Sequence, residues 1–251
     1  MSFQHALVRR PGSSYLRCIS SHPLKKTLSH TQALKQHSDY CEVLEALNLE
    51  IIQLTPNEKY PDSCFVEDNA VIHNDKAFIT RMAAKSRRGE EKEVEEVLVD
   101  FLKVKHAVPP AIIEGGDVIH LQNRLICGVT QRTNNTGIEQ MKKWLNVEID
   151  ACIDPNIIHL KSYVTYLGNN TVLMTKSYMN HPVFNKFAAL IVPETESYAA
   201  NSLTINDTVL IPKGFPKTLA MIRNANFDVI PIEMSEFQKC EGSLTCLSLL
   251  F

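Results

Sequence analysis

The chain repeats one order of secondary-structure patterns five times, and this repeat limits the fold more than any other feature. Each copy has a short apolar leading strand, a second strand, a helix and a third strand, with a period of roughly 40 to 50 residues. Such units bury their apolar faces against their neighbours, so five of them are expected to close into a ring. The leading strands are D-N-A-V-I-H, D-V-I-H-L, S-Y-V-T-Y-L, S-L-T-I-N and L-T-C-L-S-L-L-F.

Hydrophobic periodicity places the other elements of each copy. The predicted helices cover residues 31–47, 90–103, 137–145, a shorter segment after Pro182, and 216–224. Each helix lies between two strand patterns, such as R-L-I-C-G-V before residues 137–145 and V-E-I-D-A-C-I after them. The last leading strand is expected to pair with the strand at residues 5–9 and to close the ring. The prediction is an α/β fold in which residues 1–251 form a single domain.

Composition narrows the classes of partner. With 251 residues and 44% hydrophobic content the chain can bury a sizeable core, and its formal net charge is -2. This charge argues against nucleic acid or an anionic membrane as the main partner and favours a small molecule. The first residues lack the basic and apolar pattern of a signal peptide, and no apolar run has the length of a membrane span. The expectation is a soluble, cytoplasmic protein.

The seven cysteines are odd in number, widely spaced and without a C-x-x-C motif. This pattern favours reduced thiols over a disulfide framework or a structural zinc site. Cys246 lies where polar residues give way to an apolar run, at the start of a predicted buried strand. A cysteine there is an inert core residue or, if other reactive groups converge on it, a nucleophile.

Polar residues occur at equivalent places in successive copies, just before or at the start of each leading strand. Taken singly, the acids would be turn or capping residues and the histidine a hydrogen-bonded core residue. In a ring built from repeats, however, equivalent positions lie at equivalent radii and meet at the axis. The residues are Glu67 with Asp68, Glu114 with Asp117, His159, Asn201 and Cys246.

A thiol, an imidazole and several carboxylates suit chemistry on a guanidinium. Carboxylates match the paired N–H donors of a guanidinium, and Glu67 and Asp68 are the expected clamp. Cys246 is the expected nucleophile, activated by the bound cation and by His159, whose imidazole would protonate the leaving amine. Glu114 is expected to hold the imidazole in place. A carboxylate at the other end of the substrate would pair with Arg132 or with Arg87, which could equally be a solvated surface residue.

Seven segments, in order along nearly the whole chain, resemble the dimethylarginine dimethylaminohydrolases. The segments are P-D-S-C-F-V-E-D, I-T-R-M-A-A-K-S-R-R-G-E, E-G-G-D, R-T-N, H-L-K-S, P-E-T-E-S-Y-A-A-N and G-S-L-T-C-L-S. This family belongs to the guanidine-modifying pentein superfamily. The resemblance therefore implies a five-bladed α/β propeller of ββαβ units around a central active-site cavity, in agreement with the five repeats.

The resemblance also implies an activity, the hydrolysis of Nω-methylated arginine to citrulline and a methylamine through a covalent thiouronium. It implies neither a cofactor nor a metal ion for this chemistry, and it leaves a monomer and a homodimer open. Lys161 stands where arginine deiminases carry a second acid, which favours a methylated substrate. The implied catalytic residues are Cys246, His159 and Glu114, and the implied substrate-binding residues are Asp62, Glu67, Asp68, Arg87, Arg132, Ile19, Cys240 and Glu241.

Three alternatives remain open at this point. An arginine deiminase or an amidinotransferase would use the same cysteine and histidine, although such chains are usually longer. A non-catalytic pentein binding protein would need neither residue. A metallohydrolase would use Cys246 and His159 as metal ligands.

Overall fold

Five three-stranded sheets are arranged in a ring. The computed structural model describes residues 3–251, and in this range each sheet, or the helices and turns beside it, contacts the next unit of the ring. Every sheet has its middle strand antiparallel to the leading strand and parallel to the third strand. The predicted α/β propeller of five repeated units is confirmed.

The strands and helices have the following bounds. The strands are β1 (His5–Arg9), β2 (Glu50–Leu54), β3 (Ala70–His73), β4 (Lys76–Ile79), β5 (Lys103–His106), β6 (Val118–His120), β7 (Arg124–Val129), β8 (Glu148–Ile153), β9 (Val164–Gly168), β10 (Thr171–Met174), β11 (Ala188–Ile191), β12 (Leu203–Ile205), β13 (Thr208–Pro212), β14 (Asp228–Ile232) and β15 (Ser248–Leu250). The α-helices are α1 (His30–Ala46), α2 (Glu91–Leu98), α3 (Asn135–Leu145), α4 (Pro216–Asn224) and α5 (Ser235–Gln238). None of the helices within residues 3–251 combines the length and the apolar character needed to cross a membrane.

Local sequence explains where most helices begin. The side chain of Ser29 accepts a hydrogen bond from Gln32 N at the start of α1, and Asn134 accepts one from Gly137 N at the start of α3. Pro216 occupies the first turn of α4, where its missing N–H has no partner to lose.

Two helix predictions were wrong in length or type. The helix predicted over residues 90–103 ends at Leu98, whose carbonyl accepts from Phe101 N and Leu102 N, so that the chain turns before β5 begins at Lys103. The segment after Pro182 forms only a short 3₁₀ turn, Pro182–Phe184.

The first sheet joins the two ends of the described chain. Its leading strand is β15, which pairs antiparallel with β1 through Leu7 and Leu249 among others. A disulfide between Cys18 and Cys240 links the same two regions, with 6.1 Å between the Cα atoms. The expectation that all seven cysteines are reduced was therefore wrong. The pair could not be found from spacing because 222 residues separate the two cysteines and only ring closure makes them neighbours.

A single turn of 3₁₀ helix or a slightly longer one precedes every leading strand. Cys246 lies in one of these turns, so the prediction that it starts a strand was wrong, and the strand begins at Ser248. The turn before β15 contacts the turn before β3, which contacts the turn before β6, and the contacts continue through the turn before β9 to the turn before β12. They are Val66–Asn69, Gly115–Asp117, Leu160–Ser162, Glu194–Ala200 and Leu244–Leu247.

Candidate active site

The ring of 3₁₀ turns places the polar residues of the five repeats at one end of the leading strands. Glu67 and Asp68 lie within the first turn, and Cys246 lies within the last. Glu114 and His159 directly precede the second and third turns. The fourth and fifth turns are linked by Asn201, whose side chain donates to Thr245 Oγ1 at 3.2 Å and accepts from Thr245 N.

His159 is held by two carboxylates. Its Nε2 atom is 2.8 Å from Glu114 Oε2 and 3.7 Å from Asp68 Oδ1. The ring packs so close to Gly116 that a Cβ there would be 2.8 Å from His159 Cγ, which explains the glycine of the E-G-G-D segment. Burial alone would lower the pKa of His159, but Asp68 and Glu114 outweigh it and raise this pKa to about 9. The side chain is therefore an imidazolium at neutral pH.

Asp68 is an ionised carboxylate. Its Oδ1 atom accepts from Gly116 N at 3.0 Å, and its Oδ2 atom accepts from Arg87 Nη1 at 2.8 Å. Burial would raise the pKa of this carboxyl, but His159 and Arg87 together lower it to about 2. Gly116 and Arg87 thus stabilise the negative charge of Asp68 beside the imidazolium.

Glu67 has its two oxygens engaged by different partners. Lys161 Nζ pairs with Oε1 at 2.5 Å, and Thr245 Oγ1 donates to Oε2 at 2.8 Å. Glu67 and Lys161 are both buried. Both acids of the expected clamp therefore already have a cationic partner, Lys161 for Glu67 and Arg87 for Asp68.

Cys246 is the third residue of the turn that Ser243 caps. Its Sγ atom accepts from Ser243 N at 3.5 Å. Burial raises the pKa of this thiol to about 12, and the charges of Glu67 and Asp68 add to the effect, although Lys161 opposes it. The resting side chain is therefore a neutral thiol whose ionisation needs an additional positive charge nearby.

The residues predicted for the other end of the substrate lie on several loops. The carboxylate of Asp62 accepts from Ile19 N at 3.1 and 3.2 Å. Glu241 accepts from the backbone N and the Oγ of Ser21. Arg132 is partly exposed, and its Nη1 atom is 3.5 Å from Glu114 Oε1. Cys240 is buried, and its sulfur belongs to the disulfide and not to a free thiol.

Arg87 is not a solvated surface residue. It is 7% exposed, and its guanidinium donates to Asp68, to Glu90 and to the carbonyl of Phe65. Most of its donors are thus engaged within the protein. The predicted role of Arg87 at the carboxylate of the substrate remains a prediction.

Comparison with known proteins identifies the family. The profile described as "N,N dimethylarginine dimethylhydrolase, eukaryotic" matches residues 19–211. The protein named N(G),N(G)-dimethylarginine dimethylaminohydrolase from Pseudomonas aeruginosa is 34% identical, over 99% of this chain and 100% of its own length. The chain belongs to the dimethylarginine dimethylaminohydrolase family. The protein of the same name from Streptomyces coelicolor is also 34% identical, over 99% of this chain and 97% of its own length.

Solved structures agree with this family assignment. The structure of the Pseudomonas aeruginosa protein, a cysteine-to-serine mutant complexed with citrulline, has a TM-score of 0.97 and covers 100% of both chains at 34% identity. A histidine-to-glycine mutant of a dimethylarginine dimethylaminohydrolase, present as an adduct with S-methyl-L-thiocitrulline, has a TM-score of 0.96 at 34% identity and covers 99% of this chain and 100% of its own. The N-terminal domain of ArgZ, at 19% identity and a TM-score of 0.88, shares the fold.

Sequence reasoning named Asp117 without giving it a role, and it missed Glu90, Thr130 and Thr133. Asp117 accepts from Leu160 N, next to His159, and from the hydroxyls of Thr130 and Thr133, which flank Arg132. Glu90 binds Arg87, and the spacing of three residues between them was the only signal in the sequence. No comparable signal pointed to the two threonines.

One cluster of side chains has the ligand atoms that a metal site would need. The nearest ligand atoms of Asp68, Glu114 and His159 all lie within 4.8 Å of one another. An imidazole and two carboxylates are a donor set that zinc accepts. The same three groups form the hydrogen-bonded cluster around the imidazolium, so a cation there would displace the proton on His159.

Proposed function

We propose that this protein hydrolyses Nω-methylated arginine to citrulline and a methylamine, with Cys246 as nucleophile. The observation that carries the proposal is the imidazolium of His159 held between Glu114 and Asp68, because the turn that carries Asp68 contacts the turn that carries Cys246. Relatives named for this activity match the chain over nearly its full length. The substrate is accordingly a small cation, without a role for nucleic acid or a membrane.

The anions of the site bind the guanidinium and so activate the thiol. Asp68 and Glu67 raise the pKa of Cys246 in the free protein. A guanidinium placed beside Asp68 offsets that negative charge and favours the thiolate, which is the reactive form of cysteine. His159 is already protonated at neutral pH, so the proton of the thiol leaves to solvent. Substrate binding and activation of the nucleophile are in this way one event.

The first half of the reaction forms the adduct. The Cys246 thiolate attacks the guanidinium carbon, and a C–S bond forms at the expense of a C=N π bond. The imidazolium of His159 then donates its proton to the methylated nitrogen as the C–N bond breaks and the amine departs. This leaves a thiouronium on Cys246 and a neutral imidazole on His159, which Glu114 keeps in orientation.

The second half of the reaction regenerates the protein. The neutral imidazole removes a proton from water, and the resulting hydroxide oxygen attacks the thiouronium carbon. The C–S bond breaks, Cys246 returns as a thiolate, and the hydroxyl proton of the tetrahedral intermediate passes to solvent as neutral citrulline forms. His159 ends as the imidazolium with which the cycle began.

The pair of Glu67 and Lys161 favours a methylated guanidinium over arginine. An unsubstituted guanidinium presents N–H donors on both terminal nitrogens, and each donor left without an acceptor in a buried site costs binding energy. Lys161 occupies Glu67 and thereby removes one acceptor. Methyl groups directed toward Glu67 need no acceptor, so a methylated substrate does not lose binding energy in this way.

Citrulline release from arginine, monomethylarginine and asymmetric dimethylarginine tests the proposal. We expect kcat/KM to be highest for the methylated substrates. Faster turnover of arginine would instead assign the chain to deimination, and absence of citrulline with all three would contradict the hydrolase. Activity that survives chelators and disappears on alkylation of Cys246 would exclude a metallohydrolase.

Arg132→Ala is expected to raise KM by about 10- to 100-fold, with little change in kcat, because a charged hydrogen bond to a remote carboxylate is made equally in the ground and transition states. Steady-state kinetics with dimethylarginine measure both constants. Arg223→Ala, on the exposed surface of α4, is the matched control and should leave both constants unchanged. A fall in kcat at constant KM would contradict the assignment.

A further inference from the structure

The Cys18–Cys240 disulfide connects two loops that lie at the predicted substrate pocket. Cys18 directly precedes Ile19, and Cys240 directly precedes Glu241. Ile19 and Glu241 are both predicted to bind the substrate, Ile19 on the loop that covers the pocket and Glu241 at the amino group. The crosslink therefore joins the two loops at the residues adjacent to these positions.

Hydrogen bonds extend the connection on both sides of the disulfide. Ser20 Oγ donates to Lys239 O at 2.8 Å. The backbone N and the Oγ of Ser21 donate to the carboxylate of Glu241 at 3.1 and 2.7 Å. Ile19 N donates to Asp62, which is itself predicted to bind the amino-acid end. The positions of Ile19, Asp62 and Glu241 are thus mechanically linked.

The disulfide is the strongest part of this connection. Ile19 is 49% exposed, so its own packing contributes little to holding the loop. The hydrogen bonds of Ser21 are exposed to water, which competes for them. Glu241 has φ +59, a backbone conformation that non-glycine residues rarely adopt without support from the surrounding structure. Without the crosslink the two loops would sample more conformations.

We propose that the Cys18–Cys240 disulfide is a positioning crosslink that preorganises the pocket for the amino-acid end of the substrate, so that affinity depends on the oxidation state of these two cysteines. The inference rests on the proposed function for its kinetic consequence. It does not involve the nucleophile, because Cys246 is a free thiol on a different turn.

The redox step is a thiol–disulfide exchange. A dithiol such as dithiothreitol supplies two electrons and two protons, the S–S bond breaks, Cys18 and Cys240 become thiols, and the dithiol closes to a cyclic disulfide. Cys18 is 0% exposed and Cys240 3% exposed, so the reductant reacts only after the loops open locally. The reverse reaction with oxidised glutathione restores the bond and gives two molecules of reduced glutathione.

Thiol counting and limited proteolysis test the crosslink without reference to activity. Protein treated with oxidised glutathione should show five free thiols after denaturation, and fully reduced protein should show seven. Trypsin should cleave after Arg17 or Lys25 faster in the reduced form, because these residues flank the released loop. Seven thiols in both preparations, or equal cleavage rates, would overturn the proposal.

Steady-state kinetics test the positioning role. In the reduced protein we expect KM for dimethylarginine to rise by about three- to tenfold with kcat within about twofold, because the bound state must now order the loops. Reoxidation should restore KM. A change confined to kcat, or an unchanged KM, would overturn the proposal. Absence of turnover in the oxidised protein would instead contradict the proposed function and leave the proteolysis result standing.

Two variants serve as controls for the reductant. The double variant Cys18→Ser and Cys240→Ser should have the KM of the reduced protein and should not respond to dithiothreitol. Cys41→Ser removes a free cysteine on α1 and should respond to reduction as the wild-type protein does. A response of the double variant to dithiothreitol would show that the effect arises elsewhere and would overturn the proposal.

Discussion

Replacing Cys246 with serine is expected to abolish turnover, with a loss in kcat of at least about 10⁴-fold, because removal of a catalytic nucleophile has effects of this size. The hydroxyl of serine has a far higher pKa than a thiol, and no neighbour lowers it enough for attack on a delocalised cation. The protein should still fold, since the side chains differ by a single atom and the backbone bonds of the turn remain. Citrulline release from dimethylarginine measures the loss, and the thermal unfolding midpoint checks the fold.

The matched control is Cys41→Ser, which removes a different free thiol and should keep full activity. Mass spectrometry of wild-type protein quenched during turnover should detect an adduct on the peptide that contains Cys246. Near wild-type turnover by Cys246→Ser, or an adduct on another peptide, would end the nucleophile hypothesis.

Replacing His159 with alanine is expected to lower kcat by about 10²- to 10⁴-fold, the usual contribution of a general acid and base. In the wild-type protein, kcat should fall as the pH rises above about 9. The sign follows from the raised pKa of His159, because the imidazolium that protonates the leaving amine is present below this pKa and lost above it. The pH profile of kcat measures the effect.

The variant provides the test of that assignment. The slow reaction of His159→Ala should lack the decrease above about pH 9, and added imidazole should restore part of the rate. His106→Ala is a suitable control, because this exposed histidine lies at the end of β5 and its side chain pairs with Glu95. Persistence of the same decrease in His159→Ala would assign the proton to another group.

The repeat predicted the fold because each of its helices and strands is specified by the residues within it. Capping residues and alternation of apolar side chains are local properties, and α4 was predicted with the bounds that it has. Prediction failed where distant segments decide the outcome. α2 ends early because Lys103 begins β5, which pairs with the more distant β4, and the disulfide exists only because the ring closes.

The sequence predicted which segments of the repeats carry the site residues. Equivalent positions in the repeats indicated Asp68, Glu114, His159 and Cys246 without any knowledge of distances. The hydrogen-bond partner of each side chain could not be predicted. Lys161 and Glu67, for example, are 94 residues apart in sequence and become neighbours only in the folded protein. The same limit applies to the resting thiol, whose pKa depends on burial and on charges from other repeats.

Because β15 must pair with β1, catalytic activity depends on closure of the ring. The nucleophile lies next to the strand that completes the first sheet, and the other four sheets lie between β1 and β15 in sequence. Pairing across such a large sequence separation carries a large loop-closure entropy and is intrinsically slow. A partly folded chain with four formed sheets would therefore lack activity. The Cys246 thiol would reach the other site residues only when β15 pairs with β1.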